Sequence, residues 1–410
     1  MIGRGPGDLP VHVAHLIEAL GPGGAERLLY TNLKHLDPSR FRNTVVTVFP
    51  HATHWAEPIR RLGVEIVSLD CRTYRDLPAG VMRLLSWLRK ERPDLLHTHL
   101  WAANIAGRVA GRMGRVPVIS SIHNPDYEPE AFNDGAEVSA RKRTLARLLD
   151  RLTARMGCER MVAVSEYVRL SASRHLRFPA GRIDLLYNPI DVEEFQPRRG
   201  KREELLADLG LSPETVVLLN VARVSPQKGL LYAIRALPAI TERHPATHLI
   251  SAGALTDPAW LARLKDEAAR LGVTDRVHFL GARRDVAGLL KSCDLFVFPS
   301  LYEGLGIALI EAMASGCASV AANTGPIPEV ISHGIDGWLV VPADERSLAE
   351  AVCLLLADPE RREAIGAAAS RSAQERFDPE LAADRLAKIY HSARDCESEG
   401  RAAKTRCHDL

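Results

Sequence analysis

The sequence has no run approaching the ~18 consecutive apolar residues of a spanning helix, which excludes a membrane bundle. Its first ten residues are rich in glycine and proline and lack the apolar core of a secretory signal. The seven cysteines form no C-x-x-C pair and are scattered along a chain too long to need disulfide staples. A reducing compartment follows as the expectation, and with it a cytoplasmic protein that has the option of working at a membrane surface. Charge of one sign is also lacking: the formal net charge is +2, which argues against a nucleic-acid binder that relies on a strongly basic face. No short internal repeat or low-complexity tract is present, and 46% hydrophobic against 25% charged residues is the composition of an ordinary folded chain.

What is present is alternation. Short apolar runs rich in β-branched residues are separated by longer helical patterns, as parallel βα units require. In the first half the strands are expected at Val11–Ile17, Thr44–Phe49, Val64–Leu69, Asp94–His99, Pro117–Ile122, Met161–Ser165 and Ile183–Tyr187. Helical patterns such as Ala25–Leu36 and Pro78–Glu91 lie between them. The series restarts with Thr215–Ala222, Thr247–Gly253, Arg276–Leu280, Asp294–Pro299, Ala318–Ala322 and Trp338–Val341. At roughly 100–200 residues per domain, 410 residues fit two α/β domains. The polar stretch 196–203 reads as the linker, dividing residues 1–195 from 196–378. From 392 to 410 the chain is polar without apolar periodicity and reads as a frayed tail. Two doubly wound sheets would place ligands at the carboxyl ends of their strands.

The segment Asp294–Ala314, DLFVFPSLYEGLGIALIEAMA, carries the most chemistry. It reads as a buried strand, a turn with Gly304 and Gly306, and a helix whose first amides can receive a diphosphate. Its acids, Glu303 and Glu311, can accept hydrogen bonds from sugar hydroxyls. Set eight positions apart on one helix, they would lie about 12 Å apart along the backbone. The carboxyl pairs of glycoside hydrolases are separated by roughly 5–9.5 Å, so two hydroxyl-binding roles fit better. Upstream, Arg223 and Lys228 sit in a loop after a strand, where two fixed cations can neutralise a diphosphate leaving group. Downstream, Thr324-Gly325-Pro326 and Pro328-Glu329 form another turn at the same edge.

Gly23-Gly24-Ala25-Glu26-Arg27 after the first strand, Ser165 in AVSEYV, Asn188 in YNPID, Arg223 with Lys228, the Glu303/Glu311 pair and TGPIPEVI occur in this order over nearly the whole chain. In this the sequence resembles glycosyltransferase family 4, the retaining glycosyltransferases of GT-B fold. The resemblance implies two Rossmann-like domains facing across a cleft, with a final helix near Pro379–His391 returning to the first domain. It implies that Glu311 binds the nucleotide ribose, that Glu303 binds the donor sugar, and that Arg223 and Lys228 bind the diphosphate. The backbone through Gly304, Leu305, Gly306 and Ile307 would complete the cradle. His123 would lie near the transferred sugar and Gly23-Gly24 near the diphosphate or acceptor. The loop Gly281–Asp285, with Arg283, would face the nucleotide. Retention at the anomeric carbon, no metal or other cofactor, and a carbohydrate or lipid-linked acceptor are further implications, with cell-surface polysaccharide or glycolipid synthesis as the setting.

Other readings stay open at this point. A nucleotide-sugar epimerase and a non-catalytic sugar-nucleotide-binding subunit would share the fold. His97 and His99 alternate onto one strand face, but with no acid or cysteine at ligand spacing they are a weak metal site, and His99 with Trp101 is a candidate border of the acceptor cleft. Ser165 and Asn188 read as turn formers at strand ends. Along 138–156, Arg143, Arg147, Arg151 and Arg155 recur every fourth residue, with Leu145, Leu148, Leu149, Leu152 and Met156 on another side. Such a helix either touches anionic lipid or buries its leucines in the core. The acceptor loop, 124–137, has no shape that the sequence dictates.

Overall fold

The structure, a computed structural model, describes residues 10–50, 54–129, 140–195 and 202–406. Among the described residues thirteen strands form where apolar runs occur: β1 (Val11–Ile17), β2 (Phe41–Thr47), β3 (Glu65–Ser68), β4 (Leu95–His99), β5 (Val118–Ile122), β6 (Arg160–Ala163) and β7 (Ile183–Leu185), then β8 (Val216–Val221), β9 (Thr247–Ala252), β10 (Val277–Gly281), β11 (Leu295–Phe298), β12 (Ser319–Ala322) and β13 (Trp338–Val340). The first seven make one sheet in the order β3-β2-β1-β4-β5-β6-β7, and the other six a second in the order β10-β9-β8-β11-β12-β13. The pairings are parallel, and helices flank the strands in the chain. That arrangement explains why the central strands read as unbroken apolar runs: β1 and β11 are buried along their whole length. In each sheet the strand order reverses direction beside the first strand of its unit, at β1/β4 and at β8/β11, which is where a doubly wound sheet opens a crevice.

The chain divides into two compact units, the first ending at Pro189 and resuming at Pro379, the second holding Ile190–Asp378. Each has its own apolar core, one around Ile234, Leu249, Leu295 and Val352, another around Leu16, Val46, Leu96 and Ala106. The boundary thus precedes the linker expected at 196–203. Residues 196–201 lie outside the described residues, and Arg202 begins the helix Arg202–Asp208. Its guanidinium donates to Ser292 O at 2.6 Å and Thr215 O at 2.5 Å and pairs with Asp294 at 2.9 Å, so this end of the polar stretch is anchored to the second unit.

Two other expectations are corrected. The last helix does not stop near His391 but runs from Pro379 to Arg406, because alanine, glutamate, lysine and arginine favour helix and no proline interrupts them. Its packed portion lies in the first unit, where Leu386, Ile389, Tyr390 and Ala393 share a core cluster with Val11, Val13, Leu95 and Ile119. The second correction concerns the arginine-rich helix, which spans Ala140–Gly157, residues 138 and 139 lying outside the described residues. Its leucines are not core; they are exposed.

Candidate functional site

In the second unit, the loops after β8, β11 and β12 are joined by hydrogen bonds. Leu301 N donates to Gln227 O at 2.8 Å, Gln227 Nε2 to Tyr302 O at 2.8 Å, and Thr324 Oγ1 to Leu301 O at 3.2 Å. Gly229 makes this closeness possible. It has φ +64°, and a Cβ there would stand 1.9 Å from Pro299 O. Across the junction Lys228 Nζ meets Glu303 Oε1 at 2.7 Å, the two side chains being 15% and 10% exposed. Only one of the ammonium's three donors is used in that bond, so Lys228 can hold an anion while still touching Glu303.

Gly306, at φ +97°, turns the chain from this loop into the helix Ile307–Ala314. Leu309 N and Ile310 N donate to Gly306 O at 3.0 and 3.2 Å, which leaves the amides of Ile307 and Ala308 ahead of the first helical bonds, and the positive end of the helix dipole points back to the loop. The helix is buried from Leu309 to Ala314, which explains why it shows no polar face in sequence. Glu311 is therefore a buried carboxylate, 4% exposed, about one turn into an apolar helix. Leu305 is also buried, so its contribution to a ligand is its backbone. Arg223 is exposed in the loop after β8. Arg283 differs from expectation in its surroundings: it forms a two-point ion pair with Asp285, at 2.8 and 2.6 Å, in an exposed turn after β10. To reach a nucleotide it must leave that carboxylate.

Two hydroxyls at this junction were not singled out from sequence. Ser300 Oγ and Ser225 Oγ are buried without a hydrogen-bond partner. Ser300 directly follows the Phe-Pro end of β11 and Ser225 precedes the turn containing Lys228, so both belong to the motif loops already marked.

The first unit holds the remaining candidates. Gly23 caps the helix Gly24–His35, and a Cβ on it would collide with the Glu26 carboxylate. Ser165 caps the helix Glu166–Leu176 by accepting from Val168 N at 3.1 Å, which is the turn role expected of it. His123 follows β5 and lines a cleft with Trp101, Asn124, Tyr127 and Asp150. Trp101 borders this cleft; His99 does not, because it points into the protein and is 1% exposed. Of the acceptor loop 124–137, residues 130–137 lie outside the described residues.

His15, His97 and His99 form a buried cluster, their ligand-forming atoms within 4.8 Å of one another. Strand register explains it: His15 pairs with His97 and Ile17 with His99, so all three rings share one face. His97 already uses both ring nitrogens, on Tyr390 OH at 2.7 Å and Ser121 Oγ at 2.9 Å. His15 uses Nε2 on Asn43, while neither nitrogen of His99 has a partner. A cation bound by all three would have to break a His97 bond, so the cluster is a poorer ligand set than its spacing suggests.

Burial lowers the pKa of His15 and of His123 to about 4, and holds His97 and His99 well below 6.5 with help from their neighbouring rings. The unfolded chain takes up these protons near pH 6.5, whereas the folded chain keeps His15 and His123 neutral down to about pH 4. Stability from these groups is therefore complete above pH 6.5 and is lost as pH falls toward 4, by roughly 3 kcal/mol for His15 alone. Urea unfolding between pH 7 and 4.5 should show this slope, flattened by about one proton in His15→Gln. An identical slope in that variant would remove His15 from the account.

Residues 22–194 match the Glycosyltransferase Family 4 description and residues 201–372 match Glycosyl transferases group 1. The D-inositol 3-phosphate glycosyltransferase of Mycobacterium marinum is 31% identical over 89% of this chain and 81% of its own. The chain is a GT-B glycosyltransferase of family 4. The alpha-maltose-1-phosphate synthase of Mycolicibacterium smegmatis is 30% identical, with 73% of this chain and 79% of its own covered. Anabaena Alr3699/HepE, solved in complex with UDP-glucose, superimposes with a TM-score of 0.81 at 22% identity, covering 93% of this chain and 99% of its own. This GT-B enzyme is thus a transferase, with the two Rossmann-like sheets of its fold class.

Proposed function

We propose that this glycosyltransferase moves a sugar, with retention at the anomeric carbon, from a nucleoside-diphosphate sugar to a carbohydrate or lipid-linked acceptor in cell-surface polysaccharide or glycolipid synthesis. The Lys228–Glu303 pair beside the Gly306-capped helix carries the reading, because it sets a cation, a carboxylate and free amides at one strand edge. The diphosphate takes the remaining Lys228 donors, the first-turn amides and Arg223. Charge that develops on the leaving oxygen is met by groups already oriented, with no metal required. Glu303, held by Lys228, accepts donor-sugar hydroxyls, and Glu311 takes the ribose. His123, neutral at physiological pH, offers a hydrogen bond to the transferred sugar without adding charge. The acceptor hydroxyl attacks the anomeric carbon on the face the diphosphate leaves and passes its proton to the departing phosphate oxygen. UDP-glucose bound to Alr3699/HepE supports the donor class, and the glycosyltransferase named for the Mycobacterium marinum relative supports transfer.

The test is a thermal-shift panel of UDP-, GDP- and ADP-sugars on the parent and Glu311→Ala, followed by turnover with candidate acceptors. One nucleotide class should stabilise the parent, and Glu311→Ala should lose about tenfold or more in donor affinity. Glu303→Ala should mainly lose transfer rate, and the product should keep the donor's anomeric configuration by NMR. Parent-like affinity and rate in both variants would overturn the site, and an inverted product would overturn the mechanism.

A further inference from the structure

The helix Ala140–Gly157 turns an unexpected face inward. Asp150, Thr153 and Ala154 are buried, with Asp150 ion-paired to the fully buried Arg108. Its large apolar side chains are left in solvent: Leu145 is 66% exposed, Leu148 58%, Leu149 39%, Leu152 54% and Met156 60%. Their helical spacing sets them in one stripe, about 17 Å long from Leu145 to Met156. A contiguous apolar stripe on a folded protein calls for a partner.

Charge identifies the partner. The helix carries Arg141, Lys142, Arg143, Arg147, Arg151 and Arg155, against the single acid Asp150, which is buried and neutralised by Arg108. Arg147 and Arg155 are exposed and make no ion pair among the described residues. Partial desolvation, and then repulsion from Arg177, Arg155 and Arg147, lowers the Arg151 pKa, so four guanidiniums share this region. A second copy of the chain would bring two such stripes together and repel. A surface that is anionic at its rim and apolar beneath matches both features at once.

We infer that the exposed apolar stripe of the helix Ala140–Gly157, with its flanking arginines, docks the enzyme on an anionic lipid bilayer. The leucines enter the boundary between headgroups and acyl chains while the guanidiniums meet lipid phosphates. No helix among the described residues is long and apolar enough to cross a membrane, so this contact is peripheral. That it delivers the enzyme to a lipid-linked acceptor rests on the transfer reading above.

The full chain should float with phosphatidylcholine vesicles containing about one third phosphatidylglycerol, and far less with phosphatidylcholine alone. Changing Arg147, Arg151 and Arg155 together to Gln should weaken partition by about 100-fold at low salt. Leu148→Ser with Leu152→Ser should weaken it about tenfold or more at unchanged charge. Donor-induced thermal shifts measured on the same samples should stay at the parent value, which shows that the variants are folded and that the donor site is untouched. Equal vesicle binding by parent and variants, or no binding by the parent, would overturn the inference. So would a parent dimer that the Leu→Ser pair dissolves, since a second copy would then cover the stripe. If vesicle binding behaves as stated but no acceptor is glycosylated, the transfer reading falls and the docking face remains.

Discussion

Lys228→Ala is expected to lower transfer turnover by about 10²–10³-fold and to weaken nucleoside diphosphate binding. The size follows from what one ammonium does. It supplies a cation for the departing diphosphate, and it neutralises a Glu303 carboxylate 2.7 Å away that is only 10% exposed. Removing it leaves that carboxylate beside an anionic ligand with no partner, a double loss in a largely desolvated place. Lys228→Arg tests whether charge alone suffices, because the planar guanidinium cannot replace a point charge with three rotatable donors in this confined turn. Calorimetry with the nucleoside diphosphate separates binding from rate. Unchanged affinity and unchanged turnover in Lys228→Ala would make the ion pair a structural strut between two loops and nothing more.

The largest effect on stability is expected from Arg108→Leu. Arg108 is fully buried in the helix Trp101–Gly114; its Nη1 pairs with Asp150 and its Nε donates to Ser120 Oγ at 2.9 Å. Asp150 also accepts from Tyr127 OH at 2.8 Å, and Tyr127 OH in turn accepts from Trp101 Nε1 at 3.1 Å. Leucine would keep part of the volume and strand a buried carboxylate, at a cost of about 3–5 kcal/mol. Tyr127→Phe removes one hydrogen bond from the same carboxylate and should cost about 1–3 kcal/mol. Chemical denaturation that ranked the two variants equally, or found Arg108→Leu harmless, would show that the network is hydrated and dispensable. The network also borders the cleft lined by His123, so its loss should loosen that wall.

The thirteen strands among the described residues lie where apolar runs place them, most within a residue or two at each end; the signal is clearest for central strands such as β1, β4 and β11, which are buried along their whole length. Gly306, marked in sequence as a turn glycine, does open the cradle helix, whereas the part Gly229 plays in setting Lys228 beside the β11 loop emerged only from its closeness to Pro299 O. What stayed hidden depends on contacts between distant segments. His15 gave no sign of its partners until β1 was set beside β4, although the strand order of a doubly wound sheet would have brought it opposite His97. Arg202 read as part of a linker because a polar stretch looks the same whether its guanidinium meets water or three backbone and carboxylate oxygens. The stripe of leucines on the helix Ala140–Gly157 has the periodicity of a core face, and sequence cannot say which side of an amphipathic helix meets the protein. Only the burial of Asp150 with Arg108 settles that.

The return of the last helix to the first unit has a consequence for how the enzyme is made. The cluster of Val11, Val13, Leu95 and Ile119 is closed by Leu386, Tyr390 and Ala393, and Tyr390 OH contacts His97 across nearly three hundred residues of chain. On the ribosome, therefore, the unit synthesised first must wait with an open seam until residues 386–393 are made, while Ile190–Asp378 of the second is in hand beforehand. Birth order and folding order are reversed, and a chain that terminates early would leave its oldest part unfinished.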